Sequence, residues 1–110
     1  MALLSGGRIR HSVVFTLMHP ADSQREREFL EATAALAEIG GVEAFELMAE
    51  TSPKNGFRFA LTMEFAGDDA YQAYNQSPAH VAFVSSRWDF EVSDFLEIDT
   101  VALPGTGAGV

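Results

Sequence analysis

From residue 57 to residue 65 the chain alternates without a break: Phe57, Phe59, Leu61, Met63 and Phe65 against Arg58, Ala60, Thr62 and Glu64. A period of two belongs to a β-strand, because successive side chains leave a strand on opposite faces. This run therefore commits the chain to a sheet with one strongly apolar face, and such a face must be covered. The cover has to come from a chain of 110 residues, which is enough for one domain and little more.

Three further strands and two helical regions fit around this run. Residues 8–18 alternate as His11, Val13, Phe15 and Leu17 against Ser12, Val14, Thr16 and Met18, so apolar groups lie on both faces. His19-Pro20-Ala21-Asp22 breaks that strand and leaves His19 in an exposed loop. Ser23 then reads as a helix N-cap, with Glu26 placed to complete a capping box. The spacing of Phe29, Thr33, Leu36 and Ile39 predicts a helix over 24–39, and Gly40-Gly41 supplies its stop. Residues 42–51 form a second strand, with Phe45 and Leu47 on one face and Ala44, Glu46 and Met48 on the other. Asn55-Gly56 supports an antiparallel hairpin to the 57–65 strand. Asp68 is the expected cap of a short helix ending near Gln76. Ser77-Pro78 restarts the helix, with serine as N-cap and proline at its first position. This segment is predicted over 78–86, with Val81 and Val84 inward and Phe83 or Trp88 sealing an edge. A last strand over 92–101 alternates Asp94, Leu96 and Ile98 with Phe95, Glu97 and Asp99.

The order is β-α-β-β-α-β, the split βαβ of a ferredoxin-like α+β fold with a four-stranded antiparallel sheet. The domain is placed at 8–103, with a flexible leader over 1–7 and a flexible tail over 104–110. Two helices can cover one face of the sheet. The other face also carries apolar residues, and a second copy of the chain is the expected cover, burying more than about 1,200 Å² in total. Nine phenylalanines and one tryptophan supply more large rings than a core of this size needs, which agrees with a second buried surface or a ligand cavity.

Charge narrows the partners. Seven Lys and Arg against 16 Asp and Glu give a formal net charge of −9. Such a surface repels phosphate backbones and anionic lipid, so neither nucleic acid nor a membrane is an expected partner. With no cysteine, thiolate metal sites, disulfides and a thiol nucleophile are excluded. The absence of cysteine suits a reducing cytoplasm, the location expected here. There is no phosphate-binding glycine loop, no HExxH and no nucleophile elbow.

The segments Ile9-Arg10-His11-Ser12-Val13-Val14-Phe15 and Tyr74-Asn75-Gln76-Ser77-Pro78-Ala79-His80-Val81-Ala82-Phe83, together with Val92-Ser93-Asp94-Phe95, resemble the stress-responsive A/B barrel family. The resemblance spans roughly residues 8–103. It implies a homodimeric α+β barrel. Many members have no assigned activity, and some plant members are linked with stress responses. A plant polyketide cyclase of the family closes a linear polyketide by an intramolecular aldol reaction without a cofactor. Its catalytic tyrosine and histidine fall on Tyr74 and His80, and a further active-site histidine falls on His11. Where that cyclase carries another histidine on its third strand, this chain has Phe59.

Each of these residues also has a plainer reading. His80, at the third position of a helix opened by Ser77-Pro78, is placed to be a neutral base with a lowered pKa, or to tether the helix start. Tyr74 is either a donor to an enolate oxygen or an amphipathic core residue. His11, on an apolar strand face, either lines a cavity or pairs with a carboxylate such as Asp94. His11, His80 and one carboxylate form a thin candidate metal set, and neither a metal nor a cofactor is expected. Three functions follow: a dimer binding a small apolar or aromatic ligand, a cofactor-independent cyclase-like enzyme using enolate chemistry, or a purely structural, stress-protective dimer.

Overall fold

The computed structural model describes residues 7–103. The order is β1 (Ile9–Leu17), α1 (Gln24–Thr33), β2 (Glu43–Ala49), β3 (Phe59–Phe65), α2 (Asp68–Gln76), α3 (Pro78–Phe83), a last helical turn α4 (Asp89–Glu91) and β4 (Val92–Val101). A 3₁₀ segment, Ala34–Glu38, follows α1, and a π-helical segment, Val84–Trp88, joins α3 to α4. The strands form one sheet in the order β2-β3-β1-β4, with every neighbouring pair antiparallel. This is the ferredoxin-like arrangement that the periodicities predict. The leader short of Gly7 and the tail lie outside the described residues, and no described helix is long and apolar enough to cross a membrane.

The register assigns the faces. In β1 and β3, His11 lies opposite Met63, Val13 opposite Leu61 and Phe15 opposite Phe59. Directly opposed residues share a face. This inner face is buried beneath Phe29 of α1, Leu36 of the 3₁₀ segment and Tyr71 and Tyr74 of α2. The outer face is bare. Val14 lies opposite both Ala60 and Leu96, Ser12 opposite Ile98, and Met48 opposite Ala60. Leu96 is 51% exposed and Ile98 47%. The helices are spent on one side, as the two-faced pattern of β1 predicts.

The element boundaries correct several expectations. The helix starting at Gln24 stops at Thr33, not Ile39. Thr33 turns its hydroxyl back onto the Leu30 carbonyl at 2.6 Å, a bond that competes with the helical ladder, and the backbone tightens to 3₁₀ beyond it. Gly41, at φ +91°, still makes the stop, where an L side chain would be strained. In β2 an extra residue is inserted between Glu43 and Glu46, with Ala44 at φ +51°, so its alternation is broken there. The hairpin joining β2 to β3 is a longer loop closed by the Glu50 N–H donating to the Arg58 carbonyl, and Asn55 instead accepts from the Phe57 N–H at 2.9 Å. Gly67, not Asp68, is the N-cap of α2, and Asp68 lies in its first turn, where its charge still favours the helix dipole. Pro78 opens α3 as expected, but α3 gives way to the π segment after Phe83, and Val81 is exposed rather than inward. His19 is not a free loop residue. Its Nε2 lies 2.7 Å from Glu91 Oε1, beside a Met18 N–H to Glu91 carbonyl bond, so the end of β1 is tied to the start of β4.

The capping box forms with one change. The Glu26 N–H donates to Ser23 Oγ, while the Glu26 carboxylate takes the N–H of Asp22, not of Ser23, at 2.9 Å. Asp22 has φ +64°, and this bond helps hold that turn. The same carboxylate is buried and meets the Arg58 guanidinium at 3.2 Å, joining α1 to the start of β3. Glu26→Ala keeps the backbone bond to Ser23 Oγ but removes the turn anchor and the ion pair together, and is expected to cost about 2 kcal/mol. Glu28→Ala, on the exposed side of α1, is expected to stay within about 0.5 kcal/mol. Urea denaturation of the two variants checks the contrast.

Candidate functional site

Between the inner face of the sheet and the helical layer lies a cavity of about 260 Å³. It exceeds the ~150 Å³ apolar cavities that take up a benzene ring. Aromatic packing shapes one side. Trp88 meets Phe15, Phe29 and Phe95 at ring-centre distances of 5.2, 6.2 and 5.5 Å, and Phe83 meets Phe29 at 5.8 Å. Val13, Leu36, Leu61 and Val84 add aliphatic surface, and the polar groups on the wall include Tyr74, His80, His11 and Glu97.

Tyr74 and His80 come together here. They are six residues apart, and a continuous helix would turn them to different faces; the break at Ser77-Pro78 brings the rings to 4.5 Å at an angle of 48°. His80 Nδ1 lies 3.1 Å from the Asn75 carbonyl oxygen. A carbonyl only accepts, so Nδ1 carries the hydrogen and Nε2 is left as the basic nitrogen of the neutral ring. Burial holds the His80 pKa below its ordinary value. The nearby His11 adds to this, and the bond to Asn75 and the Glu97 charge oppose it. Glu97 is the carboxylate that acts on it. Tyr74 is 2% exposed, and among the described residues its hydroxyl has no hydrogen-bond partner. Burial, then the charge of Glu97, pushes its pKa well above the ordinary value, so the phenol keeps its proton and stays a donor.

His11 belongs to a second group. It is 7% exposed, and its Nδ1 lies 2.6 Å from Asp99 Oδ1 and 3.6 Å from Glu97 Oε2. The Tyr71 hydroxyl is 3.1 Å from the same Nδ1, 2.8 Å from Asp99 Oδ2 and 3.0 Å from Glu97 Oε2. The expected His11–Asp94 pair does not exist. Asp94 lies opposite Thr16 on the outer face, and Asp99 lies opposite His11. Ser93 is the extra β4 residue at the Thr16–Leu17 irregularity, beyond this register, and its hydroxyl meets that of Thr16 at 2.9 Å. Burial of Asp99 works against its charge, but the bonds from His11 and Tyr71 prevail and hold its carboxyl below the usual range. Tyr71 is raised far above the ordinary phenol, by burial first and then by the two carboxylates. The thin metal set of the sequence is also redrawn: His11 joins Glu97 and Asp99, and His80 stands outside that group.

Tyr71, Glu97, Asp99 and Asn75 escaped the sequence reading as site residues. Two signals for them were present. Tyr71 shares a helix face with Tyr74 at a spacing of three, and Glu97 and Asp99 share a strand face with Phe95, an unusual place for two carboxylates.

The profile of the Stress responsive A/B Barrel Domain, Dabb, matches residues 9–102. A Dabb family protein of ferredoxin-like fold from Mesorhizobium loti is 51% identical, with 88% of this chain and 98% of that one covered and a TM-score of 0.86. A dimeric ferredoxin-like protein of unknown function from Bacteroides fragilis is 25% identical over 89% of this chain and 99% of that one, with a TM-score of 0.64. The hydroxynitrile lyase of Passiflora edulis, 12% identical over 93% and 99%, superposes with a TM-score of 0.78 and shares the fold. No curated protein matches. The profile covers almost the whole described chain, and the residues that suggested the family lie inside it: this protein belongs to the stress responsive A/B barrel family.

Proposed function

We propose that the chain works as a homodimer in which each protomer binds a small, neutral, aromatic or apolar carbonyl compound and promotes its enolisation, with His80 as base and Tyr74 as hydrogen-bond donor. The observation that carries this reading is the pairing of a depressed, neutral imidazole with an unpartnered phenol on the wall of one aromatic-lined cavity. His80 Nε2 takes the proton alpha to the carbonyl, and the Tyr74 O–H stabilises the developing enolate oxygen. The enolate then attacks a second carbonyl in an aldol closure or takes the proton back. The ligand is neutral because Glu97 and Asp89 also line the cavity, and in a low-dielectric site their charges repel a carboxylate. Simple ligand binding without turnover is the second reading; it is supported by the cavity itself and needs neither His80 nor Tyr74 to move a proton.

Exchange of α-protons for deuterium in aryl ketones, followed by NMR in D₂O, tests the chemistry without knowledge of the natural substrate. The full chain is expected to accelerate exchange saturably. His80→Gln is expected to lower the rate by about 10² to 10⁴, and Tyr74→Phe by about 10². Saturable binding with no exchange would leave the binding reading and remove the catalytic one. In chain stripped of divalent metal with a chelator, aryl carboxylates are expected to bind less tightly than the matching ketones, and the reverse order would contradict the charge argument.

The lowered His80 pKa has a stability consequence. In the unfolded chain the ring takes up a proton near the ordinary value of about 6.5, whereas in the folded chain it resists. The stabilisation is therefore fully present above about pH 6.5 and is lost as pH falls through the folded pKa. Unfolding free energy measured between pH 7.5 and pH 4.5 is expected to decline less steeply for His80→Gln than for the natural chain. A ring-proton titration of His80 with a midpoint above 6.5 would show that Asn75 and Glu97 outweigh burial.

The homodimer is supported by the bare outer sheet face and by the dimeric Bacteroides fragilis protein. Ile98→Glu puts a charge on the β4 side of that face and is expected to yield monomers in light scattering at micromolar concentration, where the natural chain is expected to be a dimer. Unchanged mass in the variant would move the interface elsewhere.

A further inference from the structure

We infer that His11, Glu97 and Asp99 form a divalent-cation site in the cavity wall, suited to an ion of the manganese, iron or zinc type. One ligand atom from each lies within 4.8 Å of the other two, with His11 Nδ1 at 2.6 Å from Asp99 and 3.6 Å from Glu97. Two donors each ~2.1 Å from a shared ion stand about 3.0 Å apart in octahedral and about 3.4 Å apart in tetrahedral geometry. The two His11 spacings bracket both values and the third lies within 4.8 Å, so side-chain rotations close the set while the strands stay in register. One imidazole with two carboxylates is a mixed donor set of intermediate hardness, which selects those metals over calcium.

Charge supplies the second argument. The carboxylates that tie elements of the fold together do so against arginines: Glu26 meets Arg58, Glu64 meets Arg8 and Arg10, and Glu91 meets Arg87. Glu97 and Asp99 stand together on one strand face, and among the described residues their ion-pair partner is His11 alone. A divalent ion neutralises the two carboxylates. The site is also prepared and reachable. The His11 ring is nine-tenths buried and held against Tyr71 and Tyr74, at ring-centre distances of 5.3 and 6.4 Å. The Glu97 and Asp99 side chains remain 46% and 37% exposed, open to an entering ion. Tyr71, in reach of both carboxylates, is the outer partner that orients them. Binding through Nδ1 requires the His11 hydrogen on Nε2. Because His11 and Glu97 line the cavity, the remaining coordination positions open toward a bound ligand.

This inference does not depend on the chemistry assigned to His80. The test uses the full chain stripped with a chelator and titrated calorimetrically with MnCl₂ and, separately, ZnCl₂. One ion per chain is expected. Glu97→Gln, at a half-exposed position that keeps the core intact, is expected to weaken binding at least tenfold. Glu28→Gln, a surface carboxylate on α1, and His80→Gln are expected to leave it unchanged. Mn²⁺ should broaden the ring resonances of His11 and Tyr71 before those of His19. No saturable binding at millimolar metal, equal affinity in Glu97→Gln, or loss of binding in His80→Gln would each overturn the site. Loss of proton exchange in His80→Gln with metal affinity intact would uphold both readings. Proton exchange in a chain that binds no metal would leave the first standing and remove the second.

Discussion

β1 lies between β3 and β4 and is paired with both along its length, so its register decides what faces what across the whole sheet. Its inner row is apolar except for His11. A slip of one residue against β4 would send Glu97 and Asp99 to the outer face and bring Leu96 and Ile98 inward. His11 would then lose both carboxylates and keep only the Tyr71 hydroxyl within reach of its Nδ1, a poorer answer for a buried ring. The His11–Asp99 contact at 2.6 Å is thus a register lock as well as a polar site. The irregularity at Thr16–Leu17 lets Val92 pack on the core while the rest of β4 keeps that lock.

A sheet has two faces, and this chain covers one. The inner cover is thin: a ten-residue α1, a nine-residue α2 and a six-residue α3. Short segments that change direction leave gaps that a long straight helix would fill. The cavity occupies one such gap, where Ser77-Pro78 ends α2 and the π segment carries Trp88 back against Phe15 and Phe95. The same break that opens the space turns His80 onto Tyr74. Space and reactive pair share one local cause, a proline whose missing N–H ends one helix and begins the next.

The parts of this molecule that were legible in its sequence are those set by neighbours along the chain. The alternation of Phe59, Leu61, Met63 and Phe65, the Ser23–Glu26 cap, the Gly41 stop and the Pro78 restart each depend on residues a few positions apart, and each appears where local chemistry puts it. The identities of Tyr74, His80 and His11 as cavity residues came from resemblance, and the cavity gathers all three. What was illegible depends on long-range register. Nothing near His11 in sequence selects Asp99 over Asp94, because the choice rests on the pairing of two strands from opposite ends of the chain. The early end of α1 was hidden for a different reason: Thr33 fits the apolar stripe by position, but its hydroxyl competes for the backbone. His19 looked free beside a proline, and only the folding of β4 back onto β1 delivers Glu91 to it.

The two histidines of the cavity show how one small fold keeps separate electrostatic environments a few residues apart in space. His80 sits where the surroundings are rings, and its single polar partner is a carbonyl that fixes the tautomer without supplying a full charge. Burial then governs, and the ring stays neutral. His11 sits where β4 presents two carboxylates and α2 presents a phenol, so its Nδ1 is committed to them. Had Asp99 faced His80 instead, the attraction would have worked against burial and favoured imidazolium, and the base would be lost at neutral pH. Strand pairing keeps the acidic pair on the β1 side of the cavity, and the proline break keeps His80 on the helix side. The neutral base is preserved by that division, and the division is a property of the fold's connectivity rather than of either residue alone.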